Sequence, residues 1–257
     1  MSTVRSFLAG TSQHLDLNLP FGAATVSVDP GATAVSVLLS TDDGHGPAAD
    51  AIRHTRYWED DEALNIAVPE IEGGITVVSN GGRTVHQHFG TVTGTVVGMT
   101  IVNGRVINGG TGGGTAVVSP ITATITLPPT AGIIVRSTSA DLTATGHVGA
   151  LGFTTTSGDL VANSVGALVV ATVSGDVRVE RIGFQLNAET TSGDVRVGVH
   201  EGSDAAITTV SGDVLLTAGT RSTGALAVRT VSGDIDLNGT GHLAVQASTV
   251  SGRKHVR

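Results

Sequence analysis

One carboxylate recurs through the second half of the chain in a fixed setting. Ser157-Gly158-Asp159, Ser174-Gly175-Asp176, Ser192-Gly193-Asp194, Ser211-Gly212-Asp213 and Ser232-Gly233-Asp234 are each followed by Leu, Val or Ile. Carboxylates repeated at near-equal intervals would stack if the chain coils, and an acidic stack is a candidate cation ladder. Ca²⁺, however, takes about six to eight oxygens, and one Asp per repeat supplies too few. Asp and Ser also bond nearby backbone N–H groups in turns, so structural turns, with no bound Ca²⁺, are the expectation. A Thr stands two residues before each serine (Thr155, Thr172, Thr190, Thr209, Thr230 and Thr249). Such a column suggests a hydroxyl array of the ice-binding kind, although stacked Thr ordinarily does no more than stabilise a sheet.

The other candidates lack partners. His86 and His88 fall on one face of a predicted strand, but no third metal ligand is identifiable. The remaining histidines, including His200, are scattered and read as surface positions. Glu59 to Glu62 reads as a solvated turn. The run Gly109 to Gly114 lacks the Lys-Ser/Thr of a phosphate-binding loop, and there is no Gly-x-Ser-x-Gly elbow. The chain has no Cys, which excludes thiolate zinc sites, disulfides and a Cys nucleophile. Catalytic, cofactor-binding and metal-binding residues are therefore expected to be none, and the protein reads as non-enzymatic.

What must position the Ser-Gly-Asp residues is a repeat. A degenerate copy, Ser139-Ala140-Asp141, opens the series and Ser251-Gly252-Arg253 closes it, with serine spacings of 18, 17, 18, 19, 21 and 19 residues. Six and four residues before the serine stand mostly apolar side chains, such as Leu168 and Val170; three and five after it stand others, such as Val177 and Val179. Period-2 columns on both sides of the corner predict two strands per repeat. One strand pair cannot bury its apolar face alone, so the repeats must stack as a solenoid. The expected fold is all-β, a parallel β-helix, right-handed by the rule for parallel crossovers. Six to seven coils at ~4.8 Å each give a rod roughly 30–35 Å long. Gly at the corner suits φ > 0 or close approach of the neighbouring coil. Arg253 replaces the Asp and Lys254 an inward apolar residue in the last coil, which reads as a polar cap.

Composition agrees with a thin core. Of 257 residues 36 are Gly and 40% hydrophobic, but only seven are aromatic. Net charge is −8 and neither half is basic, so nucleic acid and anionic membrane surfaces are not expected partners. No stretch is long and apolar enough for a transmembrane segment, and the N-terminus lacks a signal-peptide hydrophobic region, so the expected location is cytoplasmic. Residues 1–70 are expected to form an antiparallel β-module with strands near Leu15, Thr25, Ala34 and Ala63. Residues 71–136 form a Gly/Asn-rich β segment, with turns at Asn80, Asn103 and Asn108. Residues 137–257 form the solenoid.

A β-rich head, the segment Ile125-Thr126-Leu127-Pro128-Pro129 and serial Ser-Gly-Asp-Val coils together resemble the bacterial DUF4097 family of β-strand-repeat, adhesin-candidate proteins. Arg outnumbers Lys by 13 to one, which suits an actinobacterial member. The resemblance implies a parallel β-helix and brings no catalytic residue set. It leaves a non-enzymatic scaffold for protein partners or self-association as the leading function. The alternatives are an adhesin-like envelope protein and a cryptic carbohydrate-active β-helix enzyme.

Overall fold

The structure is a computed structural model of the 257-residue chain. It describes residues 2–10, 12–60, 62–71 and 119–257, together with the backbone of five short strands between them. The first half contributes β1 (Thr3–Leu8), β2 (His14–Asn18), β3 (Ala23–Val28), β4 (Ser36–Thr41), α1 (Pro47–Arg53), β5 (Arg56–Glu59) and β6 (Ala63–Ala67). The five short strands are β7 (Ile75–Val78), β8 (Thr84–Gln87), β9 (Thr100–Val102), β10 (Arg105–Ile107) and β11 (Val117–Val118). Then come β12 (Thr122–Leu127), β13 (Gly132–Arg136), β14 (Asp141–Thr155), β15 (Leu160–Thr172), β16 (Val177–Thr190) and β17 (Val195–His200). The last are β18 (Asp204–Thr209), β19 (Val214–Ala218), β20 (Ala225–Ser232), β21 (Ile235–Asn238), β22 (Ala244–Ser251) and β23 (Lys254–Val256).

The strands wind as a parallel β-solenoid of about seven turns. Face one runs in parallel from β6 through β2 and β13 to the C-terminal halves of β14, β15 and β16, and then through β18, β20 and β22. Face two runs in parallel from β12 through β3 and the N-terminal halves of β14, β15 and β16, and then through β17, β19, β21 and β23. Between the faces lie the apolar columns. Leu151, Leu168, Leu186 and Leu226 stack from face one, and Leu160, Val177, Val195, Val214 and Ile235 from face two, all nearly inaccessible. Register is locked because a one-residue slip would turn every one of these side chains to solvent. The core needs little aromatic volume because short aliphatic chains suffice to fill the gap between two sheets ~10 Å apart.

The N-terminal residues depart from the expected antiparallel module. β2, β3 and β6 are parallel rungs of the two faces, and β12 and β13 join them, so the solenoid begins well before residue 137. Within the large sheet, β1, β4 and β5 run antiparallel, as hairpin-like additions at the same end. Alternation is identical in parallel and antiparallel strands, and β2 finds its partner β13 more than a hundred residues away, so local sequence carries no sign of direction. Helix α1 starts at Pro47, a residue suited to the first helical position. Its buried Ala48, Ala51 and Ile52 join the core. Asn80, Asn103, Asn108 and Gly109 to Gly114, read as turns and a loop, lie outside the described residues.

Candidate functional site

The corners form one continuous ladder. Each Asp Oδ1 accepts the backbone N–H of the residue one coil on. Asp141 takes Asp159 N (2.9 Å), Asp159 takes Asp176 N (2.9 Å), and Asp176 takes Asp194 N (3.0 Å). Asp194 takes Asp213 N (2.9 Å), Asp213 takes Asp234 N (2.8 Å), and Asp234 takes Arg253 N (2.8 Å). Main-chain bonds run alongside in the opposite sense, for example Val177 N to Asp194 O at 2.8 Å. The second carboxylate oxygens engage arginines. Arg178 meets Asp176 at 2.8 Å, Arg196 meets Asp194 at 2.7 Å, and Arg253 forks onto Asp234 at 3.0 and 2.8 Å.

Charge balance follows from this geometry. Burial pushes the Asp176 carboxyl up, but the Asp194 amide and the Arg178 guanidinium outweigh it and leave it below the usual carboxylate range. The Arg253 amide and guanidinium likewise lower Asp234. Asp176 and Asp234 are thereby held ionised by donors from the chain itself.

Glycine is required here by close approach. A Cβ at Gly175 would lie 1.9 Å from Gly158 O, and one at Gly193, Gly212 or Gly233 would lie 2.1 Å from the corner carbonyl beneath. None of these glycines has positive φ, so conformational freedom, the other expected reason, plays no part. Ala140 opens the ladder where no Ser-Gly-Asp corner lies beneath it: Ser139 N bonds Pro20 O and Asp141 N bonds Gly22 O. Serine hydroxyls cross to the previous coil, Ser157 to Thr138 O at 3.4 Å and Ser174 to Thr156 O at 3.3 Å.

The Thr column faces inward. Thr155, Thr172, Thr190, Thr209 and Thr230 are at most 7% exposed, so no hydroxyl array is presented to solvent. Two of them close the corner, Gly158 N and Gly175 N each donating to the Thr Oγ1 three residues back at 3.0 Å. In the last coil Lys254 pairs in register with Ile235 and therefore stands in an inward column, where its Nζ donates to Ala247 O at 3.3 Å.

Other candidates resolve individually. His86 lies in β8, opposite Thr76, and His88 lies outside the described residues. Among the described residues no three His, Cys, Asp or Glu are grouped to hold a metal. Trp58 and Glu59 belong to strand β5, and the turn begins after them: Asp60 Oδ1 accepts Glu62 N (3.0 Å) and Ala63 N (2.8 Å). Glu59 accepts Gly10 N (2.9 Å) and Ser12 N (2.8 Å), so it ties the head together. His200, expected at the surface, is 3% exposed. It stands in register with Ile182 and next to Ala218, in a row that is otherwise Val148 and Val165, and burial lowers its pKa. The period-2 pattern near a corner is interrupted, which hid this inward position.

The outward side of face one offers one surface for contacts. Beside the corners runs a shallow groove of about 470 Å³, lined by Thr154, Thr156, Thr191, Thr208, Glu189 and Val173 among others. Toward the N-terminal end the same face carries a different set: Trp58, Asn65, Asp16 and Ile134 stand in one cross-strand row, and Asn18 and Arg136 in the next. Sequence reading missed this set because β2 and β13 join the β5–β6 hairpin only through long-range pairing.

A parallel β-solenoid whose repeated corner is an Asp-to-amide ladder defines the class of this protein. A sequence model of the Toastrack DUF4097 family matches residues 54–257, and the chain belongs to that family. A crystal structure of a candidate adhesin from Bacteroides fragilis superposes with a TM-score of 0.55 at 14% identity, covering 100% of this chain and 97% of that one. A candidate adhesin from Parabacteroides distasonis gives a TM-score of 0.49 at 10% identity, with 100% and 97% coverage. A candidate lipid-binding protein from the same species gives 0.44 at 10% identity, with 99% and 97% coverage. No curated protein matches the chain.

Proposed function

We propose that the protein is a non-catalytic binding scaffold that presents the outward side of face one to a partner. One observation carries this reading: each ladder carboxylate from Asp141 to Asp234 accepts a backbone amide of the next coil, and Asp176, Asp194 and Asp234 also meet an arginine, which supports their role as structural members. The groove beside the corners offers threonine hydroxyls and one carboxylate, Glu189, a lining suited to contact. An adhesin-like role at the cell envelope is the second reading, and the B. fragilis neighbour, described as a candidate adhesin, favours it. No described helix is long and apolar enough to cross a membrane.

Binding of the purified chain to envelope and cytosolic fractions of its host tests the proposal, with ester, glycoside and phosphoester substrates assayed in parallel. Saturable binding without turnover is expected. Turnover that disappears in Glu189→Gln would overturn it. Fractionation of the host separates the two readings: protein confined to the cytosol supports an internal scaffold, and protein recovered with the envelope supports the adhesin-like role.

A further inference from the structure

The N-terminal end of face one differs from the rest of that face. Along the later coils the outward residues of its strands mix small side chains such as Ala150, Gly152 and Ala206 with Gln185, Asn187, Asp204 and Arg229, and no aromatic stands in those paired rows. On β5, β6, β2 and β13 they include an indole beside amides, an imidazole and an ion pair. Trp58 is 51% exposed, although a residue of its size normally seeks burial. Its cross-strand neighbour is Asn65, whose Nδ2 donates to Asp60 Oδ2 (2.9 Å) and Ala63 O (3.1 Å), so the side-chain carbonyl remains as an acceptor. Next in the row is Asp16, ion-paired with Arg136, whose side chain is 52% exposed and whose guanidinium has further N–H groups to give. Gly132 N donates to His14 Nδ1 at 3.1 Å, which makes that nitrogen the acceptor and leaves Nε2–H as a donor.

The geometry points to a carbohydrate-binding site on this patch, with Trp58 as the stacking platform and Asn65, Asp16, Arg136 and His14 as hydrogen-bonding partners. A pyranose ring presents an apolar C–H face and a rim of hydroxyls that both donate and accept. The patch offers one aromatic face and a mixed set of donors and acceptors. Strands ~4.8 Å apart place Asp16 about 10 Å from Trp58, a span that suits a short oligosaccharide lying across the strands. Asp16, Asp60 and Glu62 at this end disfavour a polyanion. This inference rests on the binding-scaffold reading and supplies its ligand class.

Trp58 is the chain's single tryptophan, so its emission reports this site directly. The probes are cellohexaose, chitohexaose and mannohexaose up to ~10 mM, which covers weak millimolar affinities. At least one should change Trp58 emission saturably and release heat in calorimetry. Trp58→Ala should weaken that binding by about tenfold or more, a loss of ~1.4 kcal/mol, as should Arg136→Ala to a lesser degree. Phe184→Ala, which removes an exposed aromatic elsewhere, should leave it unchanged. Circular dichroism checks that each variant is folded, and Asn65→Ala substitutes if Trp58→Ala is not. No emission change and no heat with all three probes overturns the site, as does binding indifferent to both Trp58→Ala and Asn65→Ala. Saturable binding to host fractions would survive that result and leave the scaffold reading standing. Cleavage of a bound hexasaccharide would support the site and overturn the non-catalytic reading.

Discussion

Replacing Gly193 with alanine should destabilise the solenoid even though alanine has the better intrinsic backbone. A Cβ there would lie 2.1 Å from Gly175 O and 2.8 Å from its carbon, where ordinary contact begins near 3.4 Å. The obstacle is backbone in the coil beneath, so no side chain can swing aside and the two corners must separate by more than 1 Å. That displacement stretches the bonds holding the same rung, namely Asp194 N to Asp176 Oδ1 (3.0 Å), Val177 N to Asp194 O (2.8 Å) and Ser192 N to Val173 O (2.7 Å). Each contributes ~1 kcal/mol net, so their weakening costs ~3 kcal/mol. The lower entropy of the unfolded alanine chain returns ~0.4–1 kcal/mol. A net loss of ~2 kcal/mol corresponds to a Tm lower by about 4–8 °C for a chain of this size. Thermal and urea unfolding followed by circular dichroism would measure it. Gly241→Ala is the control, because a Cβ there meets nothing within 4 Å. If Gly193→Ala unfolds at the same midpoint as Gly241→Ala, close approach is not what reserves the corner for glycine.

Three further outcomes follow from the same geometry. Asp194→Ala should cost ~1–2 kcal/mol in urea unfolding, since it strips the acceptor from Asp213 N, whereas Asp194→Asn keeps an acceptor oxygen and should stay near wild type; equal losses in both would show that charge, not the amide bond, matters there. Millimolar Ca²⁺ or EDTA should leave Tm unchanged within about 1 °C, because one bound ion at saturating concentration would raise stability by ~3 kcal/mol; a rise of several degrees with Ca²⁺ would reassign the ladder. His200 has a folded pKa lowered mainly by burial, so the unfolded chain takes up its proton first as pH falls below 6.5. Its contribution is complete above that value and is lost below it by up to ~1.4 kcal/mol per pH unit, until the folded value is reached. The difference in urea midpoint between wild type and His200→Val should therefore grow from pH 7.5 to pH 5.5; parallel curves would refute the assignment.

The repeat was legible in sequence to the individual side chain. Leu168, Val170, Val177 and Val179 occupy the inward columns that their distance from Ser174 predicts, because a strand alternates strictly and every coil repeats the same offsets. The corner also announced itself, since only glycine fits against the carbonyl beneath and the chain repeats that choice. The head was less legible. β2, β3 and β6 alternate as any strand does, and nothing local distinguishes a parallel rung from an antiparallel hairpin. His200 escaped notice because its row lies where the coil bends and the period is broken.

What the sequence by itself determined is the solenoid, its coil length and the residues that face its core. These are local, periodic properties, written again in each copy. The tertiary structure alone decided which carboxylate oxygen meets which amide, and that Trp58, Asn65, Asp16 and Arg136 share one surface. Those relations join residues up to 120 positions apart through strand pairing, and a chain written in one dimension carries no mark of them until it is wound.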